Sequence, residues 1–180
     1  MRQTSIYGKL LAMAGCAALV CAVGVGTGHA ASVTAEATGQ VIKPIGVVVG
    51  TNLEFGRFMS GATAGTIEVS AAGVAQVTGG VGAVPGNTPV AATFNVSGEA
   101  STGFSISMPN TVTLTNTDGA GAETMVVTLA KDAVAAAGTG TLDGTGALAV
   151  KVGGAAAVGV NQGSGHYENT TDFTVVVNYN

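Results

Sequence analysis

Near the front of the chain, Val33, Ala35, Ala37, Gly39 and Val41 are small or apolar, while Ser32, Thr34, Glu36, Thr38 and Gln40 between them are polar. That two-residue period is the mark of a strand, which presents successive side chains to opposite faces. The other end repeats it: Phe173, Val175, Val177 and Tyr179 alternate with Thr174, Val176 and Asn178, and Tyr179 is the penultimate residue. A chain with a strand pattern at each end is built either to close on itself or to join neighbours head to tail.

Between these ends, alternating runs recur between turn signals. Pro44 interrupts the first run and 45–49 resumes it, which predicts a strand edge or bend. Segments 66–70 and 73–77 read as a hairpin around Ala71-Ala72, and 79–89 as a loop turning at Pro85-Gly86-Asn87. Strands are expected at 90–97 and 103–108, joined through Gly98-Glu99, then at 111–115 after Pro109-Asn110, and at 123–129. The alanine-rich stretch 130–137 suits either a turn of helix or a plain loop, closed by Gly138 and Gly140. Strands at 142–152 and 155–160 precede a glycine-rich turn, 161–166, into the last strand. About ten short strands predict an all-β fold, an immunoglobulin-like β-sandwich that is either complete or lacks a strand that exchange supplies. No fixed-period repeat and no internal linker divides it.

Segment 1–30 reads as a signal peptide. Arg2 and Lys9 give a positive start, an apolar run follows from Leu10 to Val25, and Gly28-His29-Ala30 supplies small residues at the cleavage positions. Cleavage after Ala30 leaves three parts: leader 1–30, N-terminal extension 31–43 and sandwich 44–180. Both cysteines, Cys16 and Cys21, fall in the leader, so disulfides and thiolate metal sites are not expected in the mature protein. The competing reading, a lipidated Cys16 after Met13-Ala14-Gly15, is opposed by the apolar and small residues that continue past it to Val25. The apolar run is short for a membrane span, so the mature chain is expected to have no transmembrane segment and to be secreted through the periplasm to the cell surface.

Segment 31–180 is of a length that suits one domain with a real core. Removing Arg2 and Lys9 from six basic residues leaves four against ten acidic, a net charge of −6 with no basic patch for phosphates. Nucleic acid is therefore not an expected partner. Only 9% of residues are charged, and Val, Thr, Gly and Ala dominate. Such a weakly charged β-rich surface favours strand-to-strand association.

Convergent chemistry is missing from the sequence. His166 is the single histidine after the leader, in Gly-Ser-Gly-His-Tyr, without a Gly-x-Ser-x-Gly elbow or a second histidine. Gly138-x-Gly140 and Gly144-x-Gly146 lack the following Lys-Ser/Thr of a phosphate loop and read as turns. Asp118, Glu123, Asp132 and Asp143 lack Asp-x-Asp spacing, although separated loops of an extracellular sandwich can assemble a calcium site. No cofactor, no metal and no enzymatic activity are expected. Leu53, Phe55, Phe58, Phe94, Phe104, Phe173 and Tyr179 are assigned to the core, and Glu54 with Arg57 to a local ion pair of little worth if exposed.

Several ordered segments resemble the bacterial secreted family known as domain of unknown function 4402. They are Leu53-Glu54-Phe55-Gly56-Arg57, 92–98 (Ala-Thr-Phe-Asn-Val-Ser-Gly), 104–109 with 112–116, Leu142-Asp143-Gly144-Thr145-Gly146 with the run 148–154, and Gly165-His166-Tyr167 through to Asn180. The family is similar in style to spore-coat U and chaperone–usher fimbrial subunit domains. The resemblance implies a sandwich lacking its last strand, whose groove accepts a neighbour's N-terminal segment by strand addition. Pilin subunits of that pathway end in an alternating strand with a penultimate tyrosine, as here. Their upstream glycine is 14th from the end, where this chain has Tyr167; Gly165 is 16th, and the common pilin disulfide is absent.

On this reading 31–43 donates through Val33, Ala35, Ala37, Gly39 and Val41, and the edge carrying Phe173, Val175, Val177 and Tyr179 accepts. The partners are other copies of the chain, a periplasmic chaperone and an outer-membrane usher. Two valines would bury roughly 3–6 kcal/mol gross, leaving much of the affinity to backbone hydrogen bonds. The alternative is that 33–41 is the first strand of its own sandwich, a monomer binding a carbohydrate or protein at the cell surface.

Overall fold

The computed structural model describes residues 30–118 and 123–180; the leader, with Cys16 and Cys21, lies outside them. The chain forms two units, 1–39 and 40–180. In the first, the described residues 30–39 have no regular secondary structure and are exposed. The second carries every described strand.

Its strands are β1 (Gly46–Thr51), β2 (Phe58–Met59), β3 (Gly65–Val69), β4 (Ala75–Gly79), β5 (Gly82–Ala83), β6 (Ala92–Ser97) and β7 (Gly103–Ser107). There follow β8 (Thr111–Asn116), β9 (Thr124–Lys131), one helical turn α1 (Ala133–Ala137), β10 (Thr139–Thr141), β11 (Ala147–Val158), β12 (Tyr167–Glu168) and β13 (Val176–Tyr179). Neighbouring strands pair antiparallel throughout. The main sheet runs β1-β6-β11-β9-β8-β12, with β3 on β11 and β4 on β3; a second sheet runs β10-β7-β13, and β2 pairs β5. This is an all-β sandwich, as the alternation predicts.

The long strand β11 is its spine, and it corrects one expectation. The pair Gly153-Gly154 suggested a break between two strands, but the strand is continuous. One edge of β11 pairs first with β6, through Ala147 to Val152, and then with β3, through Gly154 to Val158; the opposite edge pairs with β9. The glycines mark close packing instead of a turn. A Cβ at Gly153 would run into backbone atoms of Val69, Ser70 and Ala71. A Cβ at Gly154 would press on Val127, Leu53 and Phe55 from the opposite face.

Side chains alternate across the main sheet as the sequence does. Ala92, Phe94 and Val96 of β6, Met125, Val127 and Leu129 of β9, and Val150, Val152, Ala156 and Val158 of β11 are buried in one core. The second sheet covers part of it: Phe104 and Ile106 face inward from β7, and Val177 and Tyr179, paired with them, from β13. Phe104, fully buried, and Leu142, at 2% exposure, sit beneath this lid. Burial of each stabilises the fold by about 1.5–3 kcal/mol.

Local chemistry closes the connections. Asp132 caps α1 by accepting from the Ala135 N–H at 2.9 Å. Gly138, in the left-handed region at φ 71°, ends it. Stretch 130–137 is thus split between the end of β9 and this helical turn. Ser70 starts the β3–β4 turn, its Oγ accepting from the Val74 N–H at 3.1 Å.

Candidate functional site

The lid is shorter than the sheet it covers. Beyond it, toward the Thr51 end of β1, the inner face of the main sheet opens into a groove of about 1480 Å³. Ala92, Phe94, Val112, Leu114, Met125, Val127 and Ala156 form its apolar floor. Phe173 stands at its margin, edge-on to Phe94 with ring centroids 5.4 Å apart, the arrangement that aromatic quadrupoles favour.

One wall is the loop 52–58. Leu53 and Phe55 fold over Gly154, and Phe55 is buried. Asn87 clasps this loop through its side-chain amide: Nδ2 donates to the Phe55 carbonyl at 3.1 Å, and Oδ1 accepts from the Arg57 N–H at 2.6 Å. Gly56 lies between these bonds at φ 66°, and a Cβ there would meet the Asn87 side chain. Only glycine adopts that conformation without steric cost. The Leu-Glu-Phe-Gly-Arg segment is therefore a wedge with a backbone clasp. Glu54 bridges to Val90 through backbone hydrogen bonds of 2.8 Å. The expected Glu54–Arg57 ion pair is absent among the described residues, where the single close approach of a basic to an acidic side chain is His166 to Glu168 at 3.6 Å.

The facing wall is 162–169. Glu123 Oε2 accepts from the Gly163 N–H at 2.7 Å and lies 2.8 Å from the Tyr167 hydroxyl. Those donors, the tyrosine foremost, hold the Glu123 carboxyl below the ordinary carboxylate range. His166 is exposed at the rim, as expected of a turn histidine, and its backbone N–H donates to Asp118 Oδ2 at 2.7 Å. Among the described residues no three His, Cys, Asp or Glu side chains gather as metal ligands would, and no helix is long and apolar enough to cross a membrane.

The two predicted strands fare differently. Val33, Ala35, Ala37, Gly39 and Val41 lie in a stretch without any strand, with Val33 95% and Val41 99% exposed. The reading of 33–41 as the first strand of the chain's own sandwich is thereby corrected: the first strand is β1. At the other end, β13 forms over Val176–Tyr179 only. Phe173 and Val175 pack on the core from irregular chain ahead of it. Among the described pairings β1 bonds only β6 and β13 only β7, so each keeps one unpaired edge, and the two strands touch.

Near Tyr179 the edges are tied. The Tyr179 hydroxyl accepts from the Glu99 N–H at 2.6 Å and donates to the Lys43 carbonyl at 2.7 Å; the Lys43 N–H donates to Glu99 Oε2 at 3.0 Å. The alternating pattern identified Tyr179 as inward-facing but gave no signal for this tie, nor for the Asn87 clasp or the Glu123–Tyr167 contact. All three join positions far apart in the sequence.

The fold and its groove define an all-β sandwich module with an exposed stretch of core. The chain belongs to the family described as domain of unknown function DUF4402, whose model matches residues 45–179. No curated protein and no solved structure matches it.

Proposed function

We propose that this protein is a non-catalytic structural subunit of a surface appendage, exported by its leader and assembled by β-strand addition. The extension 31–43 of one copy lies along the groove of the next, and a periplasmic chaperone covers that groove before assembly at an outer-membrane usher. The observation that carries this reading is the open apolar groove beside β1, whose outer edge is unpaired among the described pairings. The same chain has an alternating segment with no strand partner of its own. Main-chain bonding to such an edge supplies affinity, and alternate side chains entering the groove supply register. The extension joins the strand ahead of Gly46, and the groove opens at Val49 and Thr51. A contact between two different surfaces propagates head to tail into an open filament.

The test is to export the chain with and without residues 31–43 and compare unboiled gels and size exclusion. Heat-labile ladders with the segment, and unstable or chaperone-dependent monomers without it, are expected. A stable, ladder-free full-length monomer would overturn the reading. It would favour instead a monomeric binder, for which the polar rim of Asn52, Arg57, Gln162 and His166 would hold a sugar.

A further inference from the structure

A donor segment attached to the domain that accepts it has two possible destinations: a neighbour's groove or its own. Length does not decide between them. Residues 31–42 span up to about 40 Å when extended, whereas β1 is about 20 Å long. A chain that turned back at 43–45 would reach the groove beside β1 with residues to spare, and the subunit would cap itself.

The tie at Lys43 opposes that reversal. β1 pairs β6 with Gly46 opposite Ser97, and the bonds from Lys43 to Glu99 and Tyr179 carry the same line of contacts past the end of β6. Both backbone polar groups of Lys43 are thereby engaged. Pro44 adds to this, since a residue before proline is held extended. Gly98 completes the device, because a Cβ there would collide with the Tyr179 hydroxyl. The chain arriving at Lys43 is thus kept in line with β1, at the end away from the groove.

We infer that Tyr179 and Glu99 form a clamp that directs the extension to another subunit and prevents it from closing on its own. Tyr179 is then a positioning residue for assembly, acting through Lys43. This rests on the strand-addition reading.

The test compares wild type, Tyr179→Phe, Glu99→Ala and Glu99→Gln, refolded over a hundredfold range of concentration, by unboiled gel and by hydrogen exchange of residues 33–41. The wild type must first give ladders; if it gives none, strand addition itself fails, irrespective of the clamp. With ladders present, Tyr179→Phe and Glu99→Ala should raise the compact monomer at least fivefold. That monomer should not depend on concentration, and its 33–41 amides should be protected. Glu99→Gln keeps an acceptor for the Lys43 N–H and should stay near wild type. Ladders unchanged in Tyr179→Phe would overturn the clamp. So would monomers whose 33–41 amides remain unprotected, since simple destabilisation produces those. Deleting 31–42 from Tyr179→Phe gives a control for folding: its domain should accept a synthetic 31–43 peptide, and failure to do so would also overturn the proposal.

Discussion

The two halves of the main sheet's inner face are built from the same residue types and treated differently. Under the lid, Val96, Val150, Val152, Leu142 and Phe104 are essentially removed from water. Beyond it, Phe94 and Val127 are as deeply placed in the floor, but Leu53, Leu114 and Phe173 above or beside them are only half-buried, over a groove of about 1480 Å³. Composition does not separate the halves; cover does. An apolar sheet face half covered by its own chain leaves exposed the kind of surface that association buries, and the same strands run through both halves.

The largest test of that contrast is truncation on each side. Phe104→Ala removes a fully buried ring from the closed half and should cost about 3–5 kcal/mol, read from urea midpoints. Phe173→Ala loses partial burial and one edge contact with Phe94, a cost of about 1–3 kcal/mol. The Phe173 variant should also lose ladder formation out of proportion to its stability. Equal costs, with ladders retained, would break the distinction between the halves.

How legible this was follows from the range over which each feature is specified. The period-two pattern identified Val177 and Tyr179 as one face of the last strand because alternation is set locally by the pleat. It inserted a break into the continuous β11, since a Gly-Gly pair reads as a turn when the backbones of Val69 and Ala71 packed against it are not in view. It also read 33–41 as a strand, where the structure has none: alternation is a local pattern and does not supply the partner that a strand needs. The groove itself has no signature in the alternation, because its floor residues Phe94, Val112 and Val127 carry the same pattern as covered ones. Cross-chain ties such as Asn87 to 55–57 depend on side-chain amides, which sequence treats as ordinary turn residues.

The clasp on the groove wall is the next test. Asn87→Ala removes two hydrogen bonds to the 52–58 loop and should cost about 1–3 kcal/mol. Its sharper signature is local: amides of 53–58 should exchange faster while those of β7 in the lid keep their protection. Faster exchange in both regions alike would mean that the wall and the closed half unfold together, and the groove would then lack an independently mobile side.

The smallest effect concerns the facing wall and pH. The Tyr167 O–H and the Gly163 N–H favour the charged form of Glu123, so its folded-state pKa lies below its unfolded value. Whatever this contributes is fully present above the unfolded pKa of about 4.3 and fades as pH falls through the lower folded value. The Glu123 contacts to Gly163 and Tyr167 should therefore be indifferent to pH from neutral down to that range and weaken only in stronger acid. Carboxyl titration by NMR checks this directly. Tyr167→Phe removes the leading donor, and the Glu123 pKa should rise toward the ordinary range, with little change in the urea midpoint because the carboxylate is exposed. A Glu123 titration unmoved by Tyr167→Phe would mean that the backbone donor holds the carboxylate alone, and that this wall of the groove does not depend on the tyrosine.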